Sequence, residues 1–97
     1  MMKRDEVIQL VRTNKAELHK RGIRSVALFG SVARDEASAD SDVDLLVDLA
    51  PPYTYDRYIE AKFYFEDLLG CSVDLVMQET LKPRLRSRVE RETILVT

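Results

Sequence analysis

The sequence predicts an α/β (α+β) domain in which a small mixed β-sheet is flanked by helices in the order α-β-β-α-β-α. Three observations predict it. Two stretches of helical period, residues 3–21 and 55–69, each run up to a glycine, Gly22 and Gly70. Three runs at residues 25–29, 42–48 and 72–77 are too short for helices and rich in branched apolar residues. No linker, repeat or low-complexity segment interrupts the 97 residues, a length that one domain fills.

Taken in order, Val7, Leu10, Val11 and Leu18 recur near the helical period while Arg12, Lys15, Glu17 and Lys20 spread around the other side, so 3–21 reads as one amphipathic helix. Gly22 fits the left-handed position that closes it. Ser25-Val26-Ala27-Leu28-Phe29, bounded by Gly30, reads as a strand covered on both faces. Ser31 caps a short helical turn through Val32, Ala33 and Arg34, and the small polar residues 35–41 read as a loop. Val43, Leu45 and Val47 alternate with Asp42, Asp44, Leu46 and Asp48, which marks the second strand, and Pro51-Pro52 stops it.

Residues 55–69 carry Tyr58, Ile59, Ala61, Phe63, Phe65, Leu68 and Leu69 on a broad apolar side and predict a second long helix packed on the sheet. The third strand, Val73-Asp74-Leu75-Val76-Met77, echoes Val43-Asp44-Leu45-Leu46-Val47, so the two strands are expected as neighbours presenting the same face. Thr80 is placed as the cap of a last helix with Pro83 in its first turn, made basic by Lys82, Arg84, Arg86, Arg88 and Arg91. Residues 93–97 are β-branched and read as a short edge strand.

Composition excludes several classes. Lys plus Arg is 15 and Asp plus Glu 17, a net charge of −2, without the basic excess of a nucleic-acid-binding domain, so no direct DNA binding is expected. A single cysteine, Cys71, leaves no internal disulfide, and with one histidine no Cys/His zinc site. No apolar run approaches the roughly 18 residues of a membrane span. The N-terminus follows a basic pair with acids and has no apolar stretch, so no signal peptide is expected, residues 1–97 read as one mature domain, and the location reads as cytoplasmic.

The chemistry lies in Gly30-Ser31, ten residues, then Asp42-Val43-Asp44, with Asp74 in a similar setting thirty residues on. Side chains two apart on a strand leave one face about 6.6 Å apart, a spacing that suits hard cations. With Asp74 joining from a neighbouring strand, three carboxylates offset most of the charge of two Mg²⁺ ions. Without a cation, each like-charged pair about 6 Å apart at an effective dielectric near 20 repels by about 2.8 kcal/mol. Gly30, without a Cβ, lets a phosphate approach the backbone, where free N–H groups and the Ser31 hydroxyl bind it, and Arg34 adds positive charge. This pattern suits nucleotidyl transfer from a nucleoside triphosphate.

At these residues the sequence resembles the minimal nucleotidyltransferases of the DNA polymerase β-like superfamily, in particular the antitoxins paired with HEPN-domain toxins. The resemblance spans about Val26 to Val96. Gly30 and Ser31 match the family's Gly-Ser, Asp42 and Asp44 its Asp-x-Asp, Asp74 its third carboxylate, and Gly30-Ser31-Val32-Ala33-Arg34 its Gly-Ser-x-Ala-Arg segment. Asp35 stands where many relatives have Gly. The resemblance implies the nucleotidyltransferase fold, Mg²⁺ and ATP as cofactor and substrate, Asp42, Asp44 and Asp74 as metal and catalytic ligands, and AMP transfer to a tyrosine of a helical HEPN toxin.

Other readings stay open at this level. One is neutralisation of the toxin by stoichiometric binding, another is nucleotidyl transfer to a small molecule such as an aminoglycoside, and self-association is undecided. Asp40, Asp42 and Asp44 mimic the start of an EF-hand, but Leu45 and Pro51 stand where that loop requires Gly and Glu. No Walker motif and no Gly-x-Gly-x-x-Gly is present. His19 reads as surface, Cys71 as a small buried apolar residue, and Tyr58, Phe63, Tyr64 and Phe65 as core plus one partner surface.

Overall fold

The computed structural model describes residues 3–33, 42–80, 84 and 93–97. Helices α1 (Arg4–Thr13) and α2 (Lys15–Lys20) lead into β1 (Ile23–Phe29), a single helical turn α3 (Gly30–Ala33), β2 (Val43–Leu49), the long α4 (Tyr55–Leu69), β3 (Val73–Met77), a 3-10 turn (Gln78–Thr80) and β4 (Ile94–Leu95). The four strands form one sheet in the order β3-β2-β1-β4, with β2 and β3 parallel and the other two pairs antiparallel.

The helix expected over 3–21 is broken at Asn14, which sits at φ −102°, ψ 20°. The Thr13 hydroxyl donates to the Gln9 carbonyl at 2.8 Å and Asn14 Nδ2 to the Leu10 carbonyl at 2.8 Å. Side chains that bond the preceding turn compete with the helical ladder, and two in succession favour a break there. Gly22 closes α2 at φ +79°. The Arg57 guanidinium occupies the space a side chain at residue 22 would need, and donates to the Ala50 and Pro52 carbonyls, fastening the β2–α4 connection to the turn before β1.

β1 begins two residues earlier than expected, at Ile23, and is buried on one face only. Val26 and Leu28 face the helices, whereas Arg24 is exposed and Ser25, Ala27 and Phe29 are half-buried on the other side. The core joins Val7, Val11 and Leu18 of the first helices and Ala61, Phe65 and Leu69 of α4 to Val26, Leu28, Val43, Leu45, Val47, Val73, Leu75 and Met77 of the sheet. Phe65 has no exposed surface, and truncating it to Ala costs about 3–5 kcal/mol.

α4 spans the predicted residues, with Thr54 accepting from the Arg57 N–H at 3.3 Å and Gly70 at φ +69°. The expected edge strand is β4, held to β1 by Ala27↔Leu95 and Leu28↔Ile94. The Thr80 hydroxyl donates back to the Met77 carbonyl at 2.9 Å, closing the 3-10 turn. The helix expected after Thr80 lies outside the described residues apart from Arg84, as does the loop expected at residues 35–41.

Candidate functional site

β2 and β3 run parallel in the register Val43↔Val73, Asp44↔Asp74, Leu45↔Leu75. The sequence echo between them is therefore a structural pairing, and it sets Asp44 and Asp74 side by side on adjacent strands, about 4.8 Å apart in the sheet. Valines and leucines on either side face the helices, so the pleat turns both carboxylates to the opposite face. Asp42 precedes β2 and is exposed, as is Asp74, while Asp44 is half-buried.

Gly30 meets this pair at the end of β1. Its predecessor Phe29 is the antiparallel partner of Asp44, and Gly30 has φ +75°. A Cβ at residue 30 would overlap the Asp44 carboxylate and lie 2.9 Å from its Cγ and 3.2 Å from its Cβ. Glycine is thus required both by the backbone angle and by the proximity of Asp44. The sequence assigns Gly30 to phosphate approach; its contact with Asp44 is an additional role, for which a glycine at a strand end is the only signal. Ser31 lies on α3, while its side chain and all of Arg34 fall outside the described atoms.

Cys71, half-buried just before β3, has its thiol pKa raised by burial first, then by the negative charges of Asp42 and Glu66. The start of β3 is thus close enough to Asp42 to sense its charge. The Val73 N–H donates to Glu66 Oε2 at 3.1 Å, and the Tyr58 hydroxyl donates to the Leu75 carbonyl at 2.8 Å. Sequence alone singles out neither α4 residue for the site, because both fit an ordinary helix pattern.

The donor set is all carboxylate oxygen, the chemistry of Mg²⁺ and not of zinc or copper. Among the described residues no three His, Cys, Asp or Glu side chains converge on one metal position. Mg²⁺ is commonly held by one or two carboxylates together with substrate phosphates, so these residues fit an ion arriving with a nucleotide better than a resident protein cage. Asp42 and Asp74 are exposed, and solvent there screens the repulsion expected between bare carboxylates.

A profile of the Nucleotidyltransferase domain matches residues 8–96. The chain is 41% identical over 97 residues to the protein adenylyltransferase MntA of Thermococcus cleftensis, covering 99% of this chain and 98% of the other. A solved structure described as a candidate minimal nucleotidyltransferase superposes with a TM-score of 0.83 at 39% identity, covering 96% of this chain and 95% of that one. Two more distant structures share the fold. One is a toxin-antitoxin with AMP-PNP, at TM-score 0.71 and 22% identity, covering 99% of this chain and 73% of that one. The other is a complex of a tri-AMPylated Shewanella oneidensis HEPN toxin with an MNT antitoxin, at TM-score 0.61 and 21% identity, covering 97% and 68%.

Proposed function

The chain belongs to the nucleotidyltransferase domain family, and from that premise we propose that it transfers AMP from ATP to a tyrosine hydroxyl of a HEPN-type toxin and so acts as its antitoxin. The observation that carries the reading is the side-by-side placement of Asp44 and Asp74, with Asp44 against Gly30. The name of the Thermococcus relative supports protein adenylylation as the class, and the AMP-bearing toxin in the Shewanella complex supports the kind of acceptor.

In this reading Asp42 and Asp44 hold the triphosphate end through Mg²⁺, two ions being the expected number. Bound there, Mg²⁺ supplies charge neutralisation and a stabilised pyrophosphate leaving group. The backbone N–H groups after Gly30 would face the phosphates, with Ser31 and Arg34 as the phosphate-binding side chains. The acceptor phenol oxygen bonds to the α-phosphorus, the bond to the bridging oxygen of pyrophosphate breaks, and the phenol proton passes to Asp74 or to water. A phenol with pKa near 10 requires such help at neutral pH. Asp74 is suited to that side because it comes from a different strand than the Asp42–Asp44 pair. No helix among the described residues is long and apolar enough to cross a membrane, and with ATP as substrate we place the reaction in the cytoplasm.

Incubating the HEPN toxin with ATP, Mg²⁺ and this protein, followed by intact-mass analysis, tests the proposal. Addition of AMP units that disappears on replacing the acceptor tyrosine by Phe is expected. A toxin that stays unmodified yet is neutralised at equimolar protein would establish stoichiometric binding in place of transfer.

A further inference from the structure

Among the described residues β3, five residues long, is the outermost strand beside β2, and an edge leaves alternate N–H and C=O groups without a ladder partner. The Ser72 carbonyl turns toward β2, where it accepts from the Val43 N–H at 3.0 Å. By alternation the peptide groups of Val73 and Leu75 turn outward, away from β2. These are the groups that α4 reaches: Glu66 Oε2 takes the Val73 N–H at 3.1 Å, and the Tyr58 hydroxyl meets the Leu75 carbonyl at 2.8 Å. Asp74 lies between them, opposite Asp44 on the inner side.

We propose that Glu66 and Tyr58 are positioning residues for Asp74, clamping the outer edge of β3 on both sides of it so that its carboxylate keeps its place beside Asp44. This rests on the reading of Asp74 as part of the transfer site. An edge strand held only from its inner side frays at low free energy, and a carboxylate on it would then sample positions away from the reacting phosphate. The clamp comes from α4, which is fastened independently through Phe65, Leu69 and the Arg57 contacts, so its two hydrogen bonds tie β3 to a rigid body. Glu66 accepts through one oxygen, a role that the amide oxygen of Gln reproduces without the charge.

The test compares Glu66→Ala, Glu66→Gln and Tyr58→Phe in AMP transfer to the HEPN toxin, alone and in an Asp74→Asn background. Glu66→Ala and Tyr58→Phe are expected to lower kcat by about tenfold to a hundredfold, the range that a displacement near 1 Å produces, with KM for ATP within about twofold. Glu66→Gln should retain most of the wild-type kcat. In the Asp74→Asn background the Ala and Phe changes should cost no further kcat, because their effect runs through the carboxylate already removed. Wild-type kcat in both Glu66→Ala and Tyr58→Phe, equal losses in Glu66→Gln and Glu66→Ala, or full additivity with Asp74→Asn would each overturn the positioning role. Absence of transfer by the wild-type protein would instead remove the underlying functional reading, so the two failures are told apart.

Discussion

Asp44 and Asp74 are register partners across the parallel β2–β3 pair, and the space beside Asp44 is the space that a side chain on Gly30 would fill. One glycine therefore links the turn after β1 to the acidic strands. This relationship predicts the behaviour of substitutions at both ends.

Gly30→Ala places a Cβ on a left-handed backbone and against the Asp44 carboxylate. The backbone alone costs about 1–2 kcal/mol, and Asp44 must move to make room. A thermal midpoint lower by several degrees is expected, together with AMP transfer reduced by about a hundredfold or more if the displaced carboxylate is, as proposed, part of the transfer site. Thermal melts and transfer rates on the same sample check this.

The exposed positions of Asp42 and Asp74 predict a fold indifferent to metal alone. Chelator should leave the thermal midpoint unchanged. Saturation with ATP and Mg²⁺ to about ten times Kd should add about 1.4 kcal/mol, read as a rise of several degrees. Asp42→Asn with Asp44→Asn should keep the unliganded midpoint and abolish the rise.

Arg57 ties the Ala50 and Pro52 carbonyls to α4 and fills the space beside Gly22. Arg57→Ala leaves those carbonyls without this donor, and a loss of about 1–3 kcal/mol in chemical denaturation is expected.

The Cys71 thiol is held above its ordinary pKa by burial, then by Asp42 and Glu66. A raised pKa means less thiolate at a given pH, so alkylation of Cys71 in the folded protein should reach half-maximal rate at higher pH than in the urea-unfolded chain. Asp42→Asn removes one of the negative charges and should move that profile down in pH. An unchanged profile would place Asp42 away from the start of β3.

Much of this was legible in the sequence because it rests on short-range pattern. The α4 boundaries follow from Thr54 and Gly70, and the repeated Val-Asp-Leu order of β2 and β3 anticipates their common face because alternation fixes side-chain direction in any strand. The break at Asn14 was not legible. Val11 and Leu18 keep a helical spacing across it, while the bonds from Thr13 and Asn14 to the preceding turn are a local choice that periodicity does not encode. Glu66, Tyr58 and Arg57 were equally hidden, since each is an ordinary helix residue until the tertiary fold brings a strand edge or a loop carbonyl within reach.

Whether the Asp44–Asp74 pair is the reacting centre is decided by following α-phosphate-labelled ATP into the HEPN toxin with wild type, Asp44→Asn and Asp74→Asn. Paired carboxylates acting in one transfer site predict labelled toxin with the wild type and a labelling rate lower by about a hundredfold to ten-thousandfold with either change, while circular dichroism shows the fold intact in all three. Undiminished labelling by both variants would contradict this and move the reacting centre away from the pair.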